Sequence, residues 1–121
     1  MANDFKRFTA SSVNTSAGAS ATAVYTVPSS SGTAMESIVI GITLANKSSS
    51  GVTASVFLDN YDGSNDVYIA KDVTIPAGAS LEVMSGNKLV LMGDGTDNDA
   101  IRVSSSASAS LDATVSVLED V

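Results

Sequence analysis

Two acidic loops hold the side chains of this chain that are best suited to bind a metal ion. They span residues 59–66 and 93–99 and are rich in Asp, Asn and Gly. Carboxylate and amide oxygens are the ligands that Ca²⁺ takes in proteins. Neither loop has the spacing of a twelve-residue calcium loop. We therefore expect these loops to bind no metal and to form turns in which Asp side chains accept hydrogen bonds from nearby amides. Structural calcium is the alternative. The candidate ligands are Asp59, Asp62, Asp66, Asp94, Asp97 and Asp99.

The residues needed for most enzymatic catalysis are scarce, because the chain has no His and no Cys. A Ser or Thr nucleophile then lacks its usual general base, and a Ser–Lys pair is the remaining arrangement. Its Lys would be Lys47, Lys71 or Lys88. A pair of carboxylates could cleave glycosides only in a partly apolar pocket that raises one pKa, whereas the Asp residues lie in polar loops. The sequence predicts a protein that is not an enzyme, with no catalytic residues and no cofactor.

Aromatic side chains that could stack on a sugar are also few. The chain has three Tyr, three Phe and no Trp. The candidates are Tyr25, Tyr61 and Tyr68, of which Tyr61 is expected to be the most exposed because it lies in an acidic loop. The simpler alternative is a Tyr that packs against its own loop.

The most specific signal for partner binding is the motif Phe5-Lys6-Arg7-Phe8. It contains two of the three Phe and two of the six cationic residues of the chain. A segment of Ser, Thr, Ala and Gly follows at residues 9–21, a composition typical of a linker. A few aromatic and Arg side chains can dominate an interface, so we expect these four residues to dock on a neighbouring molecule. The alternative is an additional strand that folds back on the domain.

Alternation of apolar and small polar residues is the main structural signal, and it is typical of β-strands with one buried face. It is strongest at residues 36–46, where the even positions 38, 40, 42 and 44 are Ile, Ile, Ile and Leu and are expected to face the core. The odd positions of the same strand carry no charge. The strand is therefore expected to be covered, at least partly, on both sides.

The alternation recurs at regular spacing, which predicts about eight strands and almost no helix. We expect an all-β fold, a single antiparallel β-sandwich or jelly-roll-like domain with an extended N-terminal arm. The arm and linker would be residues 1–21, with order beginning after them, and the sandwich residues 22–121. Strand 36–46 is expected to form a hairpin with residues 52–58, and residues 80–84 with residues 88–92. A further turn is expected near residues 104–108.

Composition excludes several classes of partner. The 121 residues carry 6 Lys and Arg against 13 Asp and Glu, a net charge of −7 that disfavours nucleic acid and anionic membranes. No apolar stretch is long enough to span a bilayer and no secretory signal is visible, so a soluble product of the cytosol is expected. Strand faces of Ser, Thr, Ala and Gly lack the charges that keep single sheets apart, which favours burial against copies of itself or a larger assembly.

Several short motifs carry a resemblance to a known group of proteins. They are Val27-Pro28, Leu44-Ala45-Asn46, the sequence IPAGASL at residues 75–81 and VSVLE at residues 115–119. With them the chain resembles, over about residues 24–119, small all-β structural proteins in the particles of tailed bacteriophages. The resemblance implies a virion component that decorates the capsid or belongs to the neck or tail, and it brings no catalytic residue with it.

The expected function is therefore that of a non-enzymatic virion structural protein, a capsid decoration or cement protein that stabilises the phage head. It would be homo-oligomeric, with the major capsid protein or another virion protein as partner, and would be made in the host cytoplasm and located in the virion. One alternative is a tail, collar or fibre-associated component. Another is a surface-binding module that depends on glycans or calcium.

Overall fold

The alternating segments all form strands in a computed structural model, which describes residues 3–28, 35–61, 66–84, 87–94 and 96–120. A short 3-10 helix spans Gly18–Ser20. The strands in the described residues are β1 (Asn3–Ala10), β2 (Thr22–Thr26), β3 (Glu36–Asn46), β4 (Val52–Asp59), β5 (Val67–Ile75), β6 (Ser80–Glu82), β7 (Leu89–Met92), β8 (Ala100–Ser105) and β9 (Leu111–Asp120).

These strands form two antiparallel sheets that enclose one core, so the predicted all-β sandwich is confirmed. Sheet I has the order β1-β9-β3, with both β6 and β7 on the far side of β3, and sheet II has the order β2-β8-β4-β5. Alternate side chains of both sheets point inward, and each fully buried aliphatic side chain contributes about 1.5–3 kcal/mol. The core includes Val39, Ile42, Leu44, Val56, Ile101, Val103, Leu111, Val115 and Val117.

A β-bulge in β3 corrects the predicted core face of that strand. Val39 pairs with Val117 of β9, but the next residue of β9, Ser116, pairs with Gly41, which leaves Ile40 as the extra residue. A bulge shifts the alternation by one position, so the inward residues are odd before it and even after it. Val39 and Ile42 are therefore buried, while Ile40 is exposed. The expectation that positions 38 and 40 face the core with 42 and 44 was wrong.

Both predicted hairpins were also wrong. Strand β3 lies in sheet I and β4 in sheet II, so residues 47–51 cross between the sheets instead of closing a hairpin. The buried Asn46 holds this crossing, because its side-chain amide donates to the carbonyl oxygens of Ser50 at 2.8 Å and Ile75 at 3.0 Å. Strands β6 and β7 both pair with β3, at residues 43–45 and 36–39, and not with each other.

The N-terminal segment folds back as an added strand, which is the alternative left open by the sequence. Strand β1 pairs with β9 along its whole length, from Asn3 opposite Asp120 to Ala10 opposite Ala113. The residues that follow are not a loose linker, since Val13 and Ala21 are buried as the chain passes from sheet I to sheet II. Order therefore begins at β1 and not after residue 21. The turn expected near residues 104–108 is present between β8 and β9.

Candidate interaction surface

The alternation of β1 sends the four residues of the Phe5–Phe8 motif to opposite faces of sheet I. Phe8 packs against the core, with its ring centroid 4.7 Å from that of Tyr25. Lys6 turns to the same side and forms an ion pair with Glu119. Phe5 lies on the outer face and is 77% exposed, and Arg7 is exposed two residues further along the strand. Of the four predicted partner-binding residues, Phe5 and Arg7 are thus the ones placed on the outer face.

Phe5 belongs to a continuous apolar surface that crosses sheet I. In the strand register Phe5 lies opposite Leu118, Leu118 opposite Ile38, and Ile38 opposite Val90. Because neighbouring strands are about 4.8 Å apart, these side chains form one row. Exposed Ile40 on β3 and Met92 on β7 lie beside this row, on opposite sides of it. We call this set the apolar band: Phe5, Ile38, Ile40, Val90, Met92 and Leu118.

The apolar band has the features of a protein-binding surface. Val90 is 55% exposed, and contiguous exposed apolar side chains on a folded protein mark interaction sites more often than isolated ones do. A shallow cleft of about 440 Å³ opens at one end of the band, lined by residues that include Phe5, Arg7, Ile40 and Ser116. Its described lining contains no carboxylate, so it offers a place for an apolar side chain and no acid–base pair.

A buried polar cluster beneath the apolar band fixes β1 to the sandwich. Glu119 is 0% exposed; its Oε2 accepts a hydrogen bond of 2.6 Å from the Tyr25 hydroxyl, and its Oε1 lies 2.9 Å from the Lys6 ammonium. The Tyr25 oxygen is also 2.7 Å from Ser37 Oγ. Burial and the Glu119 carboxylate raise the pKa of Tyr25, and the hydrogen bond to Glu119 raises the pKa of Lys6. These contacts connect β1, β9 and β3 of sheet I with β2 of sheet II.

Sequence reasoning missed this cluster, although its signal was present. Positions 111, 113, 115 and 117 of the last strand are apolar and buried, so the alternation also directs position 119 inward. A carboxylate at an inward position requires partners, because an unpaired buried charge is costly. Lys6 and Tyr25 supply them.

The acidic residues of the second loop organise the loop itself. Asp99 is buried, and its two carboxylate oxygens accept hydrogen bonds from the amides of Tyr61 at 2.7 Å and Met92 at 2.9 Å. Asp94 accepts from the amides of Thr96 and Asp97, which lowers the pKa of Asp94. These are the turn interactions expected of Asp.

In the first acidic loop, Asp59 is paired with a cationic side chain and lies beside a second carboxylate, that of Asp66. Asp59 accepts a hydrogen bond of 2.8 Å from Arg102 Nε. Burial and the hydrogen bond to Asp59 raise the pKa of Asp66. Asp62 lies outside the described residues. Across the described ranges the structure brings together no group of three or more residues that could hold a metal ion.

The three Tyr candidates differ from the expectation. Tyr25 is buried and Tyr61 is partly buried, whereas Tyr68 on β5 is 49% exposed, so the expectation that Tyr61 would be the most exposed was wrong. The Tyr68 ring packs 4.7 Å from the ring of Phe57, with Lys71 Nζ 5.3 Å from its centroid. It borders a groove of about 190 Å³ on the outer face of sheet II, lined also by Thr15, Ala17, Thr53, Ser55, Asp72, Ser104, Ser105 and Ser106.

The Lys residues considered for a Ser–Lys pair are placed in different surroundings. Lys47 Nζ is 2.8 Å from Ser12 Oγ and equally close to a carboxylate oxygen of Asp112, with which it forms an ion pair at the surface. Lys71 lies near Tyr68, and Lys88 is exposed beside β7.

Comparison with known proteins leaves the family of the chain open. No family model and no curated protein matches it. A solved structure titled "Structure of infectious bursal disease virus Gt strain" aligns with 96% of this chain and 39% of its own chain, at 13% identity and a TM-score of 0.23. The chain thus spans well under half the length of that viral protein. A similarity of this size carries no inference about fold or function. Among the described residues there is no helix long and apolar enough to cross a membrane.

Proposed function

We propose that this chain is a non-enzymatic structural protein of a tailed-phage particle, a capsid decoration or cement protein that adheres through the outer face of sheet I. The observation that carries the proposal is the apolar band, in which Phe5, Leu118, Ile38 and Val90 form a row across four paired strands. The short sequence motifs described above resemble those of phage structural proteins, and this resemblance is the reason for proposing a tailed-phage particle.

The position of the apolar band on paired strands suits adhesion. The inner strands β9 and β3 are held by hydrogen-bond ladders on both sides, and the Lys6–Glu119 ion pair holds the edge strand β1 in place. A surface that is already ordered loses little conformational entropy when it binds. Each copy would contribute a modest interface with the shell, and many copies acting together would resist internal pressure.

The test is the incorporation of variants into particles, measured as copies per particle by quantitative mass spectrometry. Phe5→Ser removes the most exposed side chain of the apolar band. Burying a Phe contributes about 1.5–3 kcal/mol, so incorporation at limiting protein concentration should fall about tenfold or more. Val67→Ser is the control, because Val67 is 47% exposed but lies on β5 of sheet II.

Two outcomes decide the proposal. If Phe5→Ser is incorporated into particles in fewer copies while Val67→Ser is incorporated normally, adhesion through sheet I is supported. Equal copy numbers for wild type and Phe5→Ser contradict it. The absolute copy number separates a decoration protein, which covers the head in many copies, from a neck, tail or fibre component, which is present in few.

Glycan binding is a second candidate function, favoured by the groove on sheet II. The half-exposed Tyr68 ring, the Asp72 carboxylate and several Ser and Thr hydroxyls line this groove, and sugars are bound by aromatic rings and hydrogen-bonding groups of this kind. A glycan array tests it. Binding that is lost in Tyr68→Ala and kept in Phe5→Ser supports this function, and no binding by the wild type excludes it for the glycans on the array.

A further inference from the structure

We propose that β1 pairs with β1 of a second copy of this chain, antiparallel and around a two-fold axis, so that sheet I continues from one copy into the other. The inference goes beyond the proposed function, because the contact is made by the edge of sheet I. The outer face of the sheet stays free to bind the shell.

Strand β1 is an open and regular sheet edge. It is the end strand of sheet I, and its eight residues pair with β9 without a register shift. Among the described residues, β9 is the strand that takes up its backbone hydrogen bonds. Half of the N–H and C=O groups of an edge strand point away from the sheet, so a strand of another chain can add there.

The other edge strands of the two described sheets are short or irregular. Strands β6, β7 and β2 contain three, four and five residues. Strand β5 is longer, but its pairing with β4 shifts register twice, and Asp72 within it has a positive φ of 47°. Short strands and bulges are the usual means by which proteins keep sheet edges from pairing. Strand β1 has neither, which makes it the edge best suited to add another strand.

The chain leaves β1 at the end that lies away from the proposed contact. Beyond Ala10 the Val13 amide donates to the Leu111 carbonyl oxygen, and the chain then crosses to sheet II. Residues 3–7 form the opposite part of the strand. They are the part of the edge that we assign to the second copy.

The charges of β1 select one register. A two-fold axis perpendicular to the sheet keeps the outer faces of both copies on the same side, so each residue lies opposite one of the same parity. With the axis at Phe5, Phe5 faces Phe5, and Asp4 of each copy faces Lys6 of the other. Opposite charges directly across an antiparallel pair stabilise it, and here the pairing occurs twice. Asp4 and Lys6 are both exposed.

The alternative registers are unfavourable. A shift by two residues in one direction puts Lys6 opposite Lys6, and a shift by two in the other direction puts Asp4 opposite Asp4. A shift by four residues puts Arg7 opposite Arg7, and like charges directly across a strand pair are destabilising. Larger shifts place Phe5 beyond the end of the opposite β1.

Lys6 can take a second carboxylate as partner. Its ammonium is 2.9 Å from Glu119 Oε1, yet its side chain remains 45% exposed. The Asp4 carboxylate of the other copy would approach from the open side of β1. The ammonium would then lie between a buried carboxylate of its own chain and an exposed one of the second copy.

The same register joins the two apolar bands. In each copy the row from Val90 through Ile38 and Leu118 ends at Phe5, which is 77% exposed. Placing Phe5 beside Phe5 adds an aromatic pair across the new strand contact. The row then runs without a gap across eight strands, so the dimer presents an apolar band of twice the length.

The size of the contact sets its strength. Five residues of each β1 pair, which allows about four to six backbone hydrogen bonds. Such a contact is smaller than the roughly 800 Å² per partner of a standard interface. The dimer should therefore be weak, with a Kd between about 1 μM and 1 mM.

Single-cysteine variants test the pairing and its register, because the chain has no other Cys. In Phe5→Cys the two Cα atoms would lie directly opposite, about 4.5–5.5 Å apart, a separation that a disulfide can bridge. Oxidation by copper phenanthroline at a protein concentration above the Kd should therefore join most Phe5→Cys chains into dimers on a non-reducing gel.

Two matched controls should stay monomeric under the same oxidation. In Arg7→Cys the two Cα atoms would be about 14 Å apart, since each lies two residues from the axis. In Val90→Cys, at an apolar position that is 55% exposed, they would be seven strand spacings apart, about 34 Å. Cross-linking of Phe5→Cys alone supports the pairing. No cross-link in Phe5→Cys, or an equally strong one in either control, overturns it.

Sedimentation velocity in about 0.15 M salt tests the charge pairing without cysteine. Asp4→Lys places Lys opposite Lys6 twice, so the Kd should rise about tenfold or more. Glu36→Lys makes the same change of charge at an exposed position of β3 and should dimerise like the wild type. A wild type that is monomeric up to about 1 mM, or an Asp4→Lys variant that dimerises normally, contradicts the proposal.

Failure of this inference and failure of the proposed function give different results. If Phe5→Cys does not cross-link while Phe5→Ser still fails to enter particles, the pairing is refuted and adhesion through sheet I is supported. If Phe5→Cys cross-links while Phe5→Ser enters particles normally, the pairing is supported and adhesion is refuted.

Discussion

Removing one hydroxyl from the buried cluster tests the energetics of the fold most sharply. Tyr25→Phe deletes only the oxygen that donates to Glu119 Oε2 at 2.6 Å and leaves the ring packed on Phe8. A hydrogen bond to a charged group contributes about 1.5–3 kcal/mol when its loss leaves the partner buried. Glu119 is fully buried, so water cannot replace the lost donor.

The magnitude depends on whether Ser37 can take the place of Tyr25. Ser37 lies opposite Glu119 in the β3–β9 register, and its Oγ is already 2.7 Å from the Tyr25 oxygen. If its hydroxyl turns to the carboxylate, the cost falls to the lower end of the range, about 1.5 kcal/mol. Tyr25→Phe combined with Ser37→Ala should then cost more than the two single variants together.

Urea denaturation measures this cost. With a slope of about 1–3 kcal/mol per molar urea, a cost of about 1.5 kcal/mol lowers the midpoint of Tyr25→Phe by roughly 0.5–1.5 M, and a cost of about 3 kcal/mol lowers it by roughly 1–3 M. Tyr68→Phe is the control, because its ring is half-exposed, and its stability should stay within about 0.5 kcal/mol of the wild type. If the two variants have the same midpoint, the buried Tyr25–Glu119 hydrogen bond does not stabilise the fold.

Two further predictions concern the loops. The pKa of Asp66 is raised in the fold, so the fold disfavours its charged form, and the stability of the fold falls as pH rises from the unfolded pKa near 3.9 through the folded pKa. Asp66→Asn should therefore raise Tm at pH 7, by less than about 4 °C because the group is only partly buried. Near pH 3 this gain in Tm should vanish, because Asp66 is then protonated in both states. A thermal melt at both pH values in which the variant never gains would contradict this. In Gly93→Ala the new Cβ would clash with the Asn98 side chain, which should cost about 1–3 kcal/mol of stability. Gly51→Ala is the control, because its Cβ would meet its nearest atom at 3.8 Å, and its stability should stay close to that of the wild type. Equal denaturation midpoints for the two variants would show that the loop around Gly93 shifts to make room for the Cβ.

Much of the secondary structure could be predicted from the sequence, because alternation reports burial directly. The strand at residues 111–120 has buried residues at every odd position from Leu111 to Glu119 and a half-buried residue at every even position from 112 to 118. Strand pairing could not be predicted, since alternation says which face of a strand is buried and not which strand lies beside it. The crossing after β3 is fixed by Asn46, whose hydrogen bonds reach the carbonyl of residue 75.

The bulge at Ile40 and the position of β1 show why local patterns also failed in places. Residues 38–42 are all apolar or Gly, so a one-residue shift in which positions face the core cannot be recognised from the sequence. In β1, Lys6 at an inward position hides the alternation, and the reason for its position is Glu119, more than a hundred residues away. The apolar band is likewise assembled from four strands distant in sequence, so no single segment could reveal it.

The most direct test of the docking face uses Met92 as a built-in probe. Of the three methionines that the structure describes, Met92 lies in the apolar band and is 43% exposed, while Met35 and Met84 are buried. Oxidation by peroxide follows exposure, so Met92 should be oxidised before Met35 and Met84 in dilute protein. In assembled particles Met92 should be protected, whereas Tyr68 on sheet II should be modified by hydroxyl radicals as before. Equal oxidation of Met92 in dilute protein and in particles would contradict docking through sheet I.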